Sequence, residues 1–276
     1  MYSYATNSGW VSRSHRAIPS FKLARPNSVT EAVDLLTGKR DTTVIAGGVD
    51  VVRRMRSGHE WSTLIDLGGI EELKTITLEG DFIRIGALAS HWDIERAVIL
   101  NKYLPFFQKA WTTIGNIRVR MAGTIGGNIM ANDAGYDGRV ILGVLGAELE
   151  FMTGTGETLI PANGSSGKPA SDALLVGIKV PISSNRRMIL DRSLKPTISV
   201  AVSLDEDRYV IGVGCGYSEP EFQSGVGPAD AVGVSLGLPE PIDNPLGSGS
   251  YRRRMAGVLA ARAYRALMDE GLNDVR

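Results

Sequence analysis

The stretch Ile114–Asn128, IGNIRVRMAGTIGGN, decides the fold prediction. It ends in the glycine-rich run Gly123–Gly127, and an apolar segment that favours a helix follows at Val140–Leu145. Glycine has no Cβ and tolerates positive φ, so the backbone amides of such a loop can approach a bound group closely. Thr124 and Asn128 add a hydroxyl and an amide as hydrogen-bonding groups. The stretch therefore predicts a loop that binds an anion at the start of a helix.

A second glycine pair, Gly47-Gly48, stands earlier in the chain. The run Thr42–Ala46 before it predicts a short buried strand, and Val49–Met55 after it begins as a helix. Neither loop has the glycine spacing of a Rossmann or P-loop motif, and either loop alone is explained more simply as a tight turn. Two such loops in one chain favour a dinucleotide, because a pyrophosphate needs backbone amides at close range.

Three acidic residues, Asp50, Asp133 and Asp137, follow the glycine loops. Their carboxylates could accept hydrogen bonds from ribose hydroxyls or from other polar groups of a bound dinucleotide. Aspartate is also common in turns, where its side chain bonds to the local backbone. The sequence leaves both explanations open.

The charge balance limits the partners. The chain has 276 residues with 30 basic and 30 acidic side chains, so no net charge favours nucleic acid or an anionic membrane. No apolar run reaches the roughly eighteen residues of a membrane span, and the N-terminal stretch lacks the apolar core of a signal peptide. We therefore expect no nucleic-acid partner, no membrane span and a cytoplasmic location.

Cysteine and histidine usage argues against a metal centre. Cys215 is the only cysteine and cannot by itself hold an iron–sulfur cluster or a structural zinc. Its apolar, glycine-rich surroundings predict a small buried residue in a strand. His15, His59 and His91 are scattered, without a partner at ligand spacing. We therefore predict no metal site, and name no catalytic acid, base or nucleophile.

The pattern of elements predicts an α+β protein with a boundary near residue 165, in the flexible loop Pro161–Pro169. Before the loop, Ser28 and Glu31 fit a helix capping box, and Ser90 is expected to cap a helix that continues through Val98. The alternating segments Lys74–Glu79 and Phe82–Gly86 around Gly80-Asp81 indicate a hairpin. The elements expected after the loop are strands at Leu174–Val180, Ile198–Leu204 and Tyr209–Gly216, an irregular segment at Pro220–Ser250 and a helix from about Tyr251 to Met268.

Ile114–Asn128 closely resembles the flavin signature of the FAD-binding (medium) subunits of the molybdenum hydroxylase family. The family includes the medium subunit of carbon monoxide dehydrogenase and the flavin domain of xanthine dehydrogenase. Val44–Val51 is similar to the family's earlier pyrophosphate loop, Tyr251–Leu259 to the end of its free-standing subunits, and Leu174–Pro181 to the strand that opens its last domain. The resemblance covers most of the chain.

The resemblance implies an FAD-binding domain over residues 1–165, of the PCMH or vanillyl-alcohol-oxidase-like type. It would consist of two α/β subdomains, at about 17–70 and 71–165. A C-terminal α+β domain with a small antiparallel sheet would occupy residues 166–276.

The same resemblance implies roles for particular residues. Those expected to hold the pyrophosphate and its neighbouring groups are Ala46, Gly47, Gly48, Val49 and Asp50 in the first loop and Thr124, Ile125, Gly126, Gly127 and Asn128 in the second. Asp137 falls where the family places a carboxylate near the ribityl–adenosine portion, and Ile114 and Leu175 fall where apolar residues line the flavin. Arg192 and Lys195 are candidates for a basic residue near the isoalloxazine.

The implied function is electron transfer within a complex. In this family a large subunit holds the molybdopterin, and a small subunit holds [2Fe–2S] clusters that deliver electrons to FAD. We therefore expect both subunits as partners, arranged as a dimer of heterotrimers. The sequence names neither the substrate nor the electron acceptor.

Two alternatives remain open. One is a self-contained flavin oxidase or dehydrogenase, although such proteins often link the flavin covalently to histidine or cysteine, and neither glycine loop contains one. The other is a scaffold subunit that has lost FAD. It is suggested by Gly138-Arg139, where the family commonly has proline, and by the unclear match at Asp191–Thr197.

Overall fold

The computed structural model describes residues 18–39, 41–164, 169–193, 197–227 and 231–273. Its strands are β1 (Lys22–Ala24), β2 (Thr42–Ile45), β3 (Thr63–Asp66), β4 (Ile76–Glu79), β5 (Phe82–Gly86), β6 (Glu148–Thr153), β7 (Gly156–Pro161), β8 (Leu174–Pro181), β9 (Arg187–Arg192), β10 (Ser199–Asp205), β11 (Arg208–Gly214) and β12 (Glu221–Val226). Its helices are α1 (Val29–Leu36), α2 (Val49–Arg56), α3 (His91–Arg96), α4 (Val98–Tyr103), α5 (Pro105–Trp111), α6 (Ile117–Ala122), α7 (Ile125–Met130), α8 (Gly138–Val144), α9 (Ala231–Gly237) and α10 (Gly249–Asn273).

The first unit is a parallel three-stranded sheet in the order β1-β3-β2 with helices α1 and α2. The predicted cap of α1 is present, because the Ser28 hydroxyl accepts a hydrogen bond from the Glu31 N–H at 3.2 Å. The Glu31 carboxylate in turn accepts from the Asn27 N–H at 2.8 Å. Strand β2 is an edge strand, and its carboxyl end leads directly into Gly47 and Gly48.

The second unit is an antiparallel five-stranded sheet in the order β4-β5-β8-β6-β7, with α3 to α8 between β5 and β6 in the chain. The predicted hairpin around Gly80 is confirmed by the pairing of Glu79 with Phe82. The predicted helix from Ser90 through Val98 is interrupted, since Ala97 is extended (φ −66°, ψ 110°) and separates α3 from α4. Trp111 and Phe107 are among the largest side chains buried in the core of this unit.

Strand β8 belongs to the sheet of the second unit and not to the last domain. Leu174–Pro181 was expected to open the last domain, but the strand pairs with β5 on one side and β6 on the other, in the middle of the five-stranded sheet. The sheet therefore continues past the predicted boundary near residue 165. The strand is buried along most of its length, as a central strand should be, but a mostly apolar run does not specify which sheet it joins.

The third unit is an antiparallel four-stranded sheet in the order β12-β11-β10-β9. Helix α10 packs on β9 and β10 over one apolar core, and α8 of the second unit packs against β10 and β11. The expected small antiparallel sheet is therefore present, and the α+β class is confirmed. The prediction that Pro220–Ser250 is irregular was wrong in part, because this segment contains β12 and α9.

Cys215 differs from its prediction. It lies just after the end of β11 with a φ of 63°, and it is half-buried. Its N–H donates to the carbonyl of Ala134 at 3.0 Å. The residue thus sits in a left-handed turn that contacts the second unit, and the apolar, glycine-rich pattern around it did not distinguish this turn from a strand.

Candidate functional site

A cavity of about 520 Å³ brings the two glycine loops together. Its volume lies within the range usual for small-molecule sites. Every predicted cofactor residue lines it except Ile125, which is fully buried in the core of the second unit. Residues more than 70 positions apart in the chain are thus gathered around one space.

The first glycine loop offers unpaired backbone donors. Gly48 has a φ of 72° and begins α2 as its N-cap residue. The Val52 N–H donates to the Gly48 carbonyl at 3.0 Å. Within the described ranges, no hydrogen bond involves the amides of Gly47–Val51. These amides lie at the N-terminal end of α2, where the helix dipole favours negative charge. The loop has the character predicted for a phosphate site.

The second glycine loop differs from the first because its amides are already paired. The N–H groups of Ile125 and Gly126 donate to the carbonyls of Ala89 and Ala87, each at 2.9 Å. The Gly127 N–H donates to the Thr124 hydroxyl at 3.1 Å, and the Asn128 N–H donates to the Thr124 carbonyl at 3.0 Å. This loop therefore presents side chains and a close backbone surface to the cavity rather than free amides.

Glycine is required where the two loops meet. A Cβ on Gly47 would overlap the carbonyl oxygen of Ala122, and it would lie 3.2 Å from the amide nitrogen of Gly123. A Cβ on Gly126 would lie 2.7 Å from the Ala87 carbonyl oxygen. The second glycine motif thus serves packing against its neighbours, which spacing in the sequence does not reveal.

Asp50 is engaged in ion pairs at the first turn of α2. Its carboxylate pairs with Arg53 and, at 2.5 Å, with Arg54. Arg53 also reaches Asp133 at 3.2 Å. Helix α2 is thereby tied to the loop that follows the second glycine motif, where burial raises the pKa of Tyr136. The sequence interpretation missed Arg54, which lines the cavity and donates to the carbonyl of Ala131.

Asp137 connects the cavity to the third unit. Its carboxylate is 5% exposed, and Oδ2 lies 3.0 Å from a guanidinium nitrogen of Arg192 on β9. Arg192 also donates to the carbonyl of Thr113 at 2.7 Å. Arg192, a candidate from the sequence, therefore lines the cavity, whereas Lys195 lies outside the described residues.

Two buried oxygens at the cavity lack partners. Asp137 Oδ1 and Asn128 Oδ1 are buried without a hydrogen-bond donor in the described part of the chain. Asn128 Oδ1 lies against Gly138, where any Cβ would overlap it. A buried acceptor left unpaired costs about 1–3 kcal/mol. These oxygens, together with the free amides of the first loop, fit a ligand that carries both hydroxyl groups and phosphates.

Apolar side chains complete the wall. Ile114 and Leu175 are 7% and 4% exposed, and both line the cavity as predicted. Trp61, half-buried just before β3, also lines it and was not singled out from the sequence. A mostly apolar wall with a few converging polar groups is usual for a nucleotide cofactor site.

The fold and cavity thus define a protein that binds a phosphate-containing nucleotide. Residues 19–183, more than half of the chain, match the family described as "FAD binding domain in molybdopterin dehydrogenase". The chain therefore belongs to this family of FAD-binding oxidoreductase components. The relationship predicted from Ile114–Asn128 is confirmed, as is FAD as the cofactor of the family.

Several curated relatives are medium subunits. The chain is 29% identical over 175 residues to the nicotine 6-hydroxylase medium subunit of Paenarthrobacter nicotinovorans, covering 61% of this chain and 62% of that subunit. It is 25% identical over 282 residues to the carbon monoxide dehydrogenase medium chain of Afipia carboxidovorans, covering 88% and 95%. For several other relatives, among them the glyceraldehyde dehydrogenase medium chain of Sulfolobus acidocaldarius, the matched part is about half of the relative's length.

Solved structures share the fold. Carbon monoxide dehydrogenase from Hydrogenophaga pseudoflava superimposes with a TM-score of 0.83 at 24% identity, covering 91% of this chain and 99% of that chain. Quinoline 2-oxidoreductase from Pseudomonas putida 86 gives a TM-score of 0.81 at 21% identity, covering 92% and 99%. The FAD-binding fold that the resemblance implied is therefore confirmed. In the described ranges of this chain, no helix is both long and apolar enough to cross a bilayer.

Proposed function

We propose that this chain is the FAD-carrying electron-transfer subunit of a heteromeric molybdenum hydroxylase. Bound FAD would supply the redox chemistry, taking electrons from the [2Fe–2S] clusters of a partner subunit and delivering them to an acceptor. The observation that carries the proposal is the cavity between Gly47-Gly48 and Gly126-Gly127, with its unpaired amides and unpaired buried oxygens.

The residues of this chain would bind and orient the cofactor. Ala46 to Asp50 provide the backbone amides for the pyrophosphate, and Asp50 is held by arginines rather than pointing to a ribose. Asn128 and Asp137 provide acceptors for hydroxyl groups, because one oxygen of each is buried without a donor. Ile114 and Leu175 exclude water from the apolar part of the cofactor. Thr124 to Gly127 support the wall through their own hydrogen bonds.

We infer the partners from the same family. A large molybdopterin subunit would oxidise the substrate, and a small [2Fe–2S] subunit would connect it to this chain, in a dimer of heterotrimers in the cytoplasm. Support comes from the named relatives, which are chains of dehydrogenases and hydroxylases made of several subunits. In such a complex the protein supplies the position, electrostatics and access of the flavin.

The test is purification of the tagged full chain from its native source. We expect a yellow complex that contains two further subunits, one with molybdopterin and one with iron–sulfur clusters. Partial reduction of the clusters should bleach the flavin absorbance. In an Asp137→Leu variant, which loses an acceptor, we expect a lower FAD content with the subunits still associated. Gly154→Ala, at a site with no atom within 4 Å of the added Cβ, is the matched control.

Each alternative predicts a different result. A stable FAD-loaded monomer that oxidises an organic substrate unaided would identify a self-contained flavin enzyme. A colourless preparation that cannot be reconstituted with FAD would identify a scaffold subunit. Either outcome would overturn the proposal.

A further inference from the structure

The imidazole of His91 is held in one orientation at the cavity wall, at the start of α3. The side chain is 2% exposed, and its Nδ1 accepts a hydrogen bond from the indole N–H of Trp111 at 3.0 Å. The backbone of His91 is fixed as well, since its N–H donates to the Gly123 carbonyl at 2.9 Å and its carbonyl accepts from Arg120 at 3.2 Å. Because Nδ1 is the acceptor, the neutral ring carries its proton on Nε2.

The Nε2–H group of His91 has no acceptor among the described residues. Nε2 lies beside Gly123, where an added Cβ would be 3.1 Å from this nitrogen and 3.0 Å from Cδ2. His91 and Gly123 both line the cavity. Because Nε2 is not among the unpartnered side-chain atoms that are closed to solvent, this N–H is accessible from the cavity and can donate to an acceptor on a bound molecule.

Other unpaired donors lie close to this group. Gly123 contacts His91 on one side, and on the other its amide nitrogen lies 3.2 Å from the position of a Cβ added to Gly47. The Gly123 amide itself is paired, because it donates to the Val119 carbonyl at 2.6 Å. The unpaired donors are the amides of Gly47 and Gly48, which have no acceptor in the described ranges. Several donors without a protein acceptor at the wall of one cavity are typical of an anion site.

His91 can act only as a neutral donor near pH 7. Burial, followed by the charge of Arg120, lowers the pKa of His91 to about 4. The ring therefore keeps a single proton, and the Trp111 hydrogen bond keeps that proton on Nε2. No positive charge needs to be buried to make this contact.

We propose that His91 is a further cofactor-binding residue, whose Nε2–H donates to a pyrophosphate oxygen of the dinucleotide beside the amides of Gly47 and Gly48. The inference rests on the proposed placement of FAD in this cavity. The contact would fix the pyrophosphate between the first glycine loop and the start of α3, which neither glycine motif by itself specifies.

The test measures the affinity of the full-length apoprotein for FAD and ADP, which contain a pyrophosphate, and for riboflavin, which does not. His91→Phe keeps a ring of similar size but removes the donor, and His91→Gln retains an N–H at similar reach. We expect His91→Phe to lower the affinity for FAD and for ADP at least tenfold and to change the affinity for riboflavin less than twofold. His91→Gln should recover most of this loss. Circular dichroism and urea unfolding check that each variant is folded.

The outcomes separate this inference from the proposed function. If the wild type binds FAD and His91→Phe, when folded, binds it equally well, His91 is a structural residue and the inference is wrong. If His91→Phe lowers the affinity for riboflavin as much as the affinity for FAD, the donor contacts another part of the cofactor and the pyrophosphate assignment is wrong. If the wild type itself fails to bind FAD, the proposed function fails. A change of the Nε2 proton shift of His91 on addition of ADP would support the contact directly.

Discussion

Gly47 packs so closely on Ala122 that a Cβ would overlap the Ala122 carbonyl oxygen. The contact joins the first glycine loop to the residue that precedes the second. The cavity therefore depends on two backbones that approach each other without an intervening side chain. Only glycine permits this approach.

Gly47→Ala should separate the loops. The added methyl has no space to relax into because the opposing atom is backbone, so we expect a loss of about 1–3 kcal/mol in the free energy of unfolding. FAD binding should weaken at least tenfold, since the free amides would move. Urea unfolding and flavin fluorescence measure both effects.

The control for this prediction is Gly154→Ala, whose added Cβ meets no atom within 4 Å. It should change neither quantity appreciably. Equal behaviour of the two variants would show that the contact between the loops tolerates a methyl group and would contradict the prediction.

Removing the charge of Arg192 should destabilise the protein through Asp137. Arg192→Met leaves a carboxylate that is 5% exposed without its counter-charge, and we expect a loss of about 1–3 kcal/mol. Adding Asp137→Asn should recover part of the loss, because the remaining group is neutral. A double-mutant cycle measured by urea unfolding tests this coupling.

Arg25→Met is the matched control for that cycle. Arg25 pairs with Asp66 at 3.4 Å, but its side chain is 74% exposed, and exposed pairs contribute about 0–1 kcal/mol. If Arg192→Met costs no more than Arg25→Met, the link between Arg192 and the cavity is energetically unimportant.

His91 should make stability depend on pH. The pKa of His91 is lowered from 6.5 to about 4 by burial, so between these values the unfolded chain binds a proton that the folded chain does not. Stability from this group is thus fully present above pH 6.5 and is lost as the pH falls towards 4. The loss is on the order of 3 kcal/mol. The stability difference between wild type and His91→Gln should shrink over this range, and a constant difference would contradict the lowered pKa.

The thiol of Cys215 should react slowly in the folded protein. Burial, followed by the charge of Asp137, raises its pKa to about 11, and the thiolate is the reactive form. At pH 8 we expect alkylation by iodoacetamide to be about two orders of magnitude slower than in urea, where the pKa is about 8.5. Because the chain has one cysteine, mass spectrometry reports this site alone. Similar rates in both states would show that the thiol is neither shielded nor shifted.

Local signals predicted several elements correctly. The Ser28 cap, the Gly80 hairpin and the helix at Val49 follow from short-range chemistry, namely hydrogen bonds to adjacent amides and turn residues with positive φ. The glycine loops were found for the same reason. All of the predicted cofactor residues but Ile125 reached the cavity, because a close approach to a ligand requires glycine in the sequence itself.

The pairing of strands that are distant in the chain was harder to predict from the sequence. Strand β8 was assigned to the wrong unit, since an apolar run fits the centre of any sheet, and its partners β5 and β6 are distant in the chain. The break at Ala97 and the turn at Cys215 were missed because both depend on packing against other segments.

The sequence by itself determined the family, through the order of glycines and flanking residues in Ile114–Asn128, and the glycine positions at which the backbone is closely approached. Only the tertiary structure decided which of the two glycine loops has backbone amides available for a ligand. The amides of the first loop have no acceptor among the residues that the structure describes, whereas those of the second donate to Ala87, Ala89 and Thr124. It also decided that His91 and Arg192 face the same cavity. The physical reason is that whether a donor is free or paired depends on which distant residues fold against it.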